Sequence, residues 1–243
     1  MGMNIDSLVR VNKDRLSDFE KILGYRFTDL RLLQRALVHS SYAFEQSQEG
    51  ENNEKLEFLG DAVLDLVIGQ ILSHRFLEMR EGQLTKLRAS LVNEQHLAKM
   101  AREILLGDYL FLGKGEDASH GRQKSSILSC AYEAVVGAVF EDGGYDTVAE
   151  LVERFFLPTL DIKKEELLVA DSKSRLQEVL QEKHNEAPAY VIEGEEGPSH
   201  QKLFTVSVRF RDETLGTGQA GSKKVAEQQA AAAALKELES KNK

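Results

Sequence analysis

The sequence has a single cysteine, no tryptophan and three prolines, none of which occurs before position 158. One cysteine excludes a disulfide framework and is typical of proteins from a reducing compartment. No apolar run approaches the ~18 residues of a membrane-spanning helix. The N-terminus lacks a signal-peptide pattern and, with Asp6 where Ser or Thr is needed, a myristoylation pattern. We therefore expect a cytoplasmic protein without membrane association.

An excess of positive charge is also missing, since the formal net charge is −9. A negative total argues against a nucleic-acid partner, but the charge is unevenly distributed. Residues 1–170 carry 20 Lys and Arg against 28 Asp and Glu, whereas residues 171–243 carry 11 against 12. The local arrangement of basic side chains therefore decides more than the total.

The proline-free first part of the chain has long stretches of helical periodicity. The predicted helices cover residues 14–23, 29–38, 53–75, 82–106, 125–140 and 146–156. Residues 107–124 predict a glycine-punctuated loop, and Pro158 is predicted to end the last helix. These features indicate an all-α domain over residues 1–157, followed by a charged connector over residues 158–170.

The pattern changes after Asp171. An amphipathic helix is predicted over residues 172–183, and strands are predicted over residues 189–192, 202–210 and 213–219. Ser222 is a predicted N-cap of an alanine-rich helix that reaches about residue 239. The order α-β-β-β-α predicts a compact α+β domain over residues 171–240. The predicted fold class is therefore multidomain, all-α followed by α+β.

Three acids in the third predicted helix share one face. Glu54, Glu57 and Asp61 occur at i, i+3 and i+7, which places them within about 60° of one another. The apolar residues predicted to face the core are Leu56, Leu59, Val63, Leu66 and Val67. An acidic stripe of this kind offers carboxylates to a divalent metal, although an ordinary surface helix has the same spacing. Phe58 lies beside the acids and predicts contact with a partner surface.

Two lysines begin the last predicted helix. Lys223 and Lys224 follow the glycines at positions 218 and 221. Positive charge in the first turn of a helix is unfavourable beside the helix dipole. The two lysines therefore indicate that a nucleic-acid phosphate backbone binds at this end of the helix. A solvated basic helix start would have the same sequence.

Other polar groups of the second predicted domain suit RNA. Ser174, Gln177 and Gln181 share a helix face, and their short uncharged groups fit 2′-hydroxyls and base edges in a minor groove. With the Gly-Pro-Ser-His loop at 197–200 and the Ser-Lys-Lys-x-Ala-Glu-Gln-x-Ala-Ala segment at 222–231, this region resembles the double-stranded RNA-binding domain. The resemblance implies that this helix face contacts one minor groove, His200 the next, and the two lysines the intervening phosphates.

The acidic segment Asn-Glu-Lys-Leu-Glu-Phe-Leu-Gly-Asp-Ala-Val-Leu at 53–64 closely resembles the signature of bacterial ribonuclease III. Further segments of that family match residues 36–43, 112–116, 126–128, 133–134, 137–138 and 142–143, so the resemblance covers nearly the whole chain. It implies an endoribonuclease that uses Mg²⁺, with Mn²⁺ as a substitute, on double-stranded RNA. Such enzymes leave 5′-phosphate ends and short 3′ overhangs in rRNA and mRNA processing.

The resemblance also assigns roles to individual residues. It implies that Glu57, Asp61 and Glu133 are metal ligands and that Asp61, Glu133 and Glu54 serve catalysis, Glu54 from the outer shell. It implies a homodimer in which Phe58 inserts as a knob into a socket on the other subunit. Crowded carboxylates repel one another, so we expect the site to need metal or protons.

One position departs from the family, because Cys130 stands where the family has an acid three residues before Glu133. A thiol is a poor match for Mg²⁺. Water could fill the gap at some cost in metal affinity, the site could prefer a softer ion such as Mn²⁺, or cleavage could be crippled. We expect the first, because the other acids remain. The alternative function is a double-stranded RNA-binding protein without cleavage; a di-iron carboxylate bundle lacks its Glu-x-x-His pairs.

Overall fold

The computed structural model describes residues 4–47, 51–198 and 201–241. The chain divides into two compact units, Met1–Leu160 and Asp161–Lys243. The first unit is helical, and the second combines helices with a three-stranded antiparallel sheet, which confirms the predicted fold class. His200 lies outside the described residues. Within the described ranges, no helix is both long and apolar enough to cross a membrane.

The first unit is built from α-helices around an apolar core. The helices are α1 (Ile5–Leu23), α2 (Leu30–Ala36), α3 (Ser40–Glu45), α4 (Glu54–Arg75), α5 (Glu81–Leu91), α6 (Glu94–Glu103), α7 (Leu106–Tyr109), α8 (Lys114–Ala118) and the start of α9 (Ser125–His184). Large side chains such as Phe19, Leu64, Tyr132 and Phe156 are fully buried between them. Most of the predicted helices are therefore present, with different limits.

The predicted loop over residues 107–124 is wrong in its detail, because it contains α7, α8 and a 3₁₀ turn at Gly121–Gln123. The guanidinium of Arg122 donates to the carbonyl oxygens of Gly107 and Leu110 at 3.0 and 2.7 Å and pairs with Asp117 at 2.8 Å. One half-buried cation thus satisfies backbone groups that these short turns leave open. Glycine spacing alone carries no information about such a long-range anchor.

The single helix predicted over residues 82–106 is also wrong, because the chain breaks between α5 and α6. Asn93 caps α6, and its side-chain oxygen accepts a hydrogen bond from the His96 backbone N–H at 3.0 Å. Leu87, Leu91 and Leu97 are buried on both sides of the break. The apolar period therefore continues through the break between α5 and α6, and the asparagine is the local signal for that break.

Pro158 does not end its helix. The structure is helical from Ser125 to His184 apart from Gly144, whose φ of 75° and ψ of −174° interrupt it. Residues 158–170, predicted to be a connector, are helical. A proline inside a helix costs about 3 kcal/mol, and the full burial of Phe156 and Leu160 beside it offsets that cost. Tertiary packing here outweighs local propensity.

The second unit pairs β1 (Ala189–Glu196), β2 (Leu203–Phe210) and β3 (Glu213–Ala220) in that order. Strand β1 extends four residues beyond its prediction, and Arg209 of β2 pairs with its Glu193 at 2.7 Å. Helix α10 (Lys223–Lys241) covers the sheet. The unit's core contains Leu176, Leu180, Val208, Ala230, Ala231, Ala234 and Leu235. The alanine run is therefore a packing surface as well as a helix-forming one.

Candidate active site

Helix α4 presents its acids at the edge of its buried face. Glu54 and Glu57 lie in its first turn, where negative charge suits the helix dipole. Glu54 and Asp61 are exposed, whereas Glu57 is half-buried. Of the five residues predicted to face the core, Leu66 is 59% exposed and Leu59 is half-buried, whereas the other three are buried. The buried face also includes Gly60, Leu64 and Ile68.

Helices α4 and α9 meet backbone to backbone beside these acids. A Cβ at Gly60 would overlap the carbonyl oxygen of Glu133, and a Cβ at Gly137 would overlap the carbonyl oxygen of Leu56. Only glycine permits so close an approach of two helices. Gly60 lies three residues after Glu57, and Gly137 lies four residues after Glu133. The contact therefore brings the acids of the two helices together.

Three side chains form one cluster at this crossing. A carboxylate oxygen of Glu57, the Sγ of Cys130 and a carboxylate oxygen of Glu133 all lie within 4.8 Å of one another, and each residue is half-buried. Asp61 is not part of this tight group among the described residues, but it lies near enough for its charge to act on Glu133. Glu54 precedes Glu57 by one turn of α4.

The protonation of the cluster follows from its burial and crowding. Burial raises the pKa of the Glu133 carboxyl to about 7, and the negative charges of Asp61 and Glu57 add to the shift. Burial raises the pKa of the Cys130 thiol to about 12, with a hydrogen bond to Glu57 and the charges of both glutamates contributing. A divalent cation would relieve the repulsion and lower both values. The glutamates therefore fit such a cation, whereas the thiol suits a softer one.

The polar residues predicted to bind RNA lie on the surface of the second unit. Ser174, Gln177 and Gln181 are exposed in the part of α9 that belongs to this unit. Lys223 and Lys224 are the exposed first residues of α10. The preceding Ser222 accepts a hydrogen bond from the Val225 N–H through its Oγ at 3.3 Å, as an N-cap does.

Comparisons with known proteins agree with this arrangement. A family model described as Ribonuclease-III-like matches residues 29–160, and one described as a double-stranded RNA binding motif matches residues 172–238. The chain is 68% identical over 240 residues to Ribonuclease 3 of Desulfotalea psychrophila, covering 99% of this chain and 100% of that relative. This chain belongs to the ribonuclease III family.

Other members of the ribonuclease III family are similar to this chain over nearly its whole length or over its first unit. Ribonuclease 3 of Oleidesulfovibrio alaskensis is 48% identical over 224 residues, covering 91% of this chain and 98% of that relative. Among solved structures, the nuclease domain of ribonuclease III from Campylobacter jejuni aligns with a TM-score of 0.55 at 44% identity. That alignment covers 58% of this chain and 94% of the other, and the structure's description refers to a region involved in dimer formation.

Two features of this ribonuclease III family member go beyond what its sequence predicts. The first is the direction of Cys130, whose sulfur faces the glutamates. The second is the Gly60–Gly137 contact: both glycines lie in predicted helices, where glycine is unfavourable by about 1 kcal/mol relative to alanine. A glycine inside each of two predicted helices, close to the acids of that helix, is the sequence signal for the close contact of α4 with α9.

In the metal-free protein, the contribution of Glu133 to the free energy of unfolding is expected to fall as the pH rises from about 4.5 to about 7. These are the ordinary and the folded-state pKa of Glu133. In that window the folded state retains a proton that the unfolded chain has released, so rising pH favours unfolding. Urea unfolding in EDTA across the window would measure the slope. The free energy of unfolding of the Glu133→Gln variant should decline less steeply with pH than that of wild type. Equal slopes would refute the raised pKa of Glu133.

Proposed function

We propose that this chain is a cytoplasmic, metal-dependent endoribonuclease that hydrolyses double-stranded RNA in rRNA and mRNA processing and leaves 5′-phosphate ends with short 3′ overhangs. The observation that carries the proposal is the convergence of Glu57 and Glu133 at the α4–α9 contact, in a chain whose second unit matches a double-stranded RNA binding motif. The single cysteine supports a reducing compartment.

The carboxylates have distinct proposed roles. Glu57, Asp61 and Glu133 would hold the divalent cation, Mg²⁺ with Mn²⁺ as a substitute, and Glu54 would act from the outer shell. A bound cation of this type activates a water molecule and neutralises charge on the phosphodiester. Glu133 must release its proton to become a ligand, so we expect metal affinity to rise with pH up to about 7.

The second unit would hold the duplex. Ser174, Gln177 and Gln181 would contact one minor groove, and Lys223 and Lys224 would bind phosphates, mainly through A-form shape. The exposure of these side chains and the opening position of the lysines in α10 support these roles. His200, proposed for the next minor groove, lies outside the described residues.

The direct test is incubation of the purified chain with long duplex RNA and Mg²⁺, beside a Cys130→Asp variant. We expect wild type to produce short fragments with 5′-phosphate ends, and the variant to do so at a lower Mg²⁺ concentration because it regains a hard oxygen ligand. The second candidate, a binding protein that does not cut, rests on Cys130 in the cluster. It would be favoured if wild type bound without cutting while Cys130→Asp cut.

A homodimer is proposed through an apolar stripe on α4. Phe58, Ala62 and Leu66 follow one another at i, i+4 and i+8 and are exposed, Phe58 by 81%. A stripe of this kind on a charged surface marks a protein interface. We propose that Phe58 inserts into a socket on a second copy.

Phe58→Asp is therefore expected to convert the dimer to a monomer, because it would bury a charge in that contact. Gel filtration with light scattering would measure the mass. Val11→Asp is the matched control, since Val11 is also apolar and 73% exposed but lies on α1; it should leave the dimer intact. A Phe58→Asp protein that remains dimeric would remove Phe58 from the interface.

A further inference from the structure

Cys130 is placed as a ligand would be. It is half-buried on α9, one turn before Glu133, and its Sγ lies within 4.8 Å of carboxylate oxygens from both Glu57 and Glu133. Two carboxyl groups therefore face a sulfur atom, with no positive side chain among the three. Such a donor set consists of two hard oxygens and one soft sulfur.

The spacing of these atoms suits a zinc ion. Zn–S bonds of about 2.3 Å and Zn–O bonds of about 2.1 Å in a tetrahedron separate the donor atoms by about 3.4–3.6 Å. The three ligand atoms lie at most 4.8 Å apart, so a pair at that limit must come closer by roughly 1 Å. Small rotations of the side chains allow an approach of this size. Three protein ligands would leave one open position, as in sites where zinc holds water or substrate.

We propose that Cys130 is a metal ligand that makes this centre selective for thiophilic divalent cations, so that Zn²⁺ bound by Glu57, Cys130 and Glu133 displaces Mg²⁺ and inhibits cleavage. The proposal rests on the proposed nuclease centre. When the ion binds, the thiol releases its proton to solvent as the sulfur–metal bond forms, and no electron is transferred.

Inhibition follows from coordination number. Mg²⁺ is octahedral and keeps several positions for water and phosphate oxygens. A tetrahedral Zn²⁺ with three protein ligands offers only one position. The attacking water and the RNA phosphate then compete for it. Mn²⁺ combines an octahedral preference with more tolerance of sulfur, so it should support cleavage in the presence of Cys130.

The chain offers a specific spectroscopic test, because Cys130 is its sole cysteine. Any thiolate-to-metal charge-transfer band must therefore come from this residue. Untagged, full-length protein would be titrated with Co²⁺ and Cd²⁺ without RNA. Wild type should develop the band with one ion per chain, and Cys130→Ser should lack it. Competition with Zn²⁺ should remove the Co²⁺ band, which gives the zinc affinity.

Glu133→Gln is the matched variant, since it keeps the sulfur but removes a facing carboxylate. It should weaken Co²⁺ binding at least about tenfold if the residues share one ion. An unchanged affinity would show that the sulfur binds metal alone and would overturn the proposal, as would the absence of a band in wild type. Thermal unfolding of each variant would show that it is folded.

Cleavage assays separate this proposal from the proposed function. With Mg²⁺ in excess, wild type should be inhibited by Zn²⁺ at least about tenfold more strongly than Cys130→Asp, which lacks the sulfur. Mg²⁺-dependent cleavage without a charge-transfer band would leave the nuclease function standing and defeat the zinc site. A band without cleavage in Mg²⁺ or Mn²⁺ would support the metal site and defeat the nuclease function.

Discussion

Glu133→Gln should reduce cleavage of duplex RNA by at least about a hundredfold, because even outer-shell partners of metal ligands contribute about 10- to 100-fold. Glutamine has nearly the same shape but no negative charge, so the cation loses a ligand while the packing is kept. Duplex binding should be nearly unchanged, because the proposed RNA contacts lie on the second unit. Initial cleavage rates in Mg²⁺ and a gel-shift titration in EDTA would measure the two effects separately.

Two control variants sharpen this experiment. Glu141→Gln changes an exposed acid on the same helix and should behave as wild type. The double variant Lys223→Glu, Lys224→Glu should do the reverse of Glu133→Gln: it should weaken binding and flatten its salt dependence, because two phosphate contacts are lost. Loss of binding in Glu133→Gln would contradict the division of labour, and full activity would remove Glu133 from the centre.

Gly137→Ala is expected to destabilise the first unit by about 1–3 kcal/mol or more, the usual cost of forcing extra atoms into a packed contact. The new methyl group would overlap the carbonyl oxygen of Leu56, which is backbone and has no rotamer to change. Alanine would otherwise favour a helix by up to about 1 kcal/mol over glycine. Steric conflict should therefore outweigh propensity, and urea unfolding followed by circular dichroism would measure the difference.

Gly82→Ala is the matched control, because Gly82 lies in α5 and a Cβ there meets no atom within 4 Å. It should be neutral or stabilising by up to about 1 kcal/mol. Gly137→Ala should also weaken metal binding, since separating α4 from α9 separates Glu57 from Glu133. A Gly137→Ala protein as stable as Gly82→Ala would refute the close contact.

The sequence predicts the elements that depend on local signals. Helix α4 is predicted over residues 53–75 and found over Glu54–Arg75, because its period and its acidic first turn are both local. The order of elements in the second unit is likewise correct. The Ser222 cap is confirmed by its hydrogen bond to Val225.

The errors occur where distant packing decides. Pro158 remains helical because Phe156 and Leu160 are buried. Leu66 is exposed because the contacts of α4 with other helices, α5 and α9 among them, bury different residues of α4. At the candidate site, the residues were identifiable from family resemblance, but the three-dimensional relation between Cys130 and Glu57 was not. These residues are 73 positions apart in sequence, and only the helix crossing determines their separation.

Because of the contact between α4 and α9, the spacing of the proposed metal ligands does not depend on which side chains serve as ligands. The distance between α4 and α9 is limited by the backbone at Gly60 and Gly137, and not by the side chains that we propose as metal ligands. An acid can therefore be exchanged for a thiol at position 130 without moving the scaffold. In protein engineering, the hardness of the ligand at position 130 can therefore be varied by itself, because the two glycines keep the separation of α4 and α9 constant.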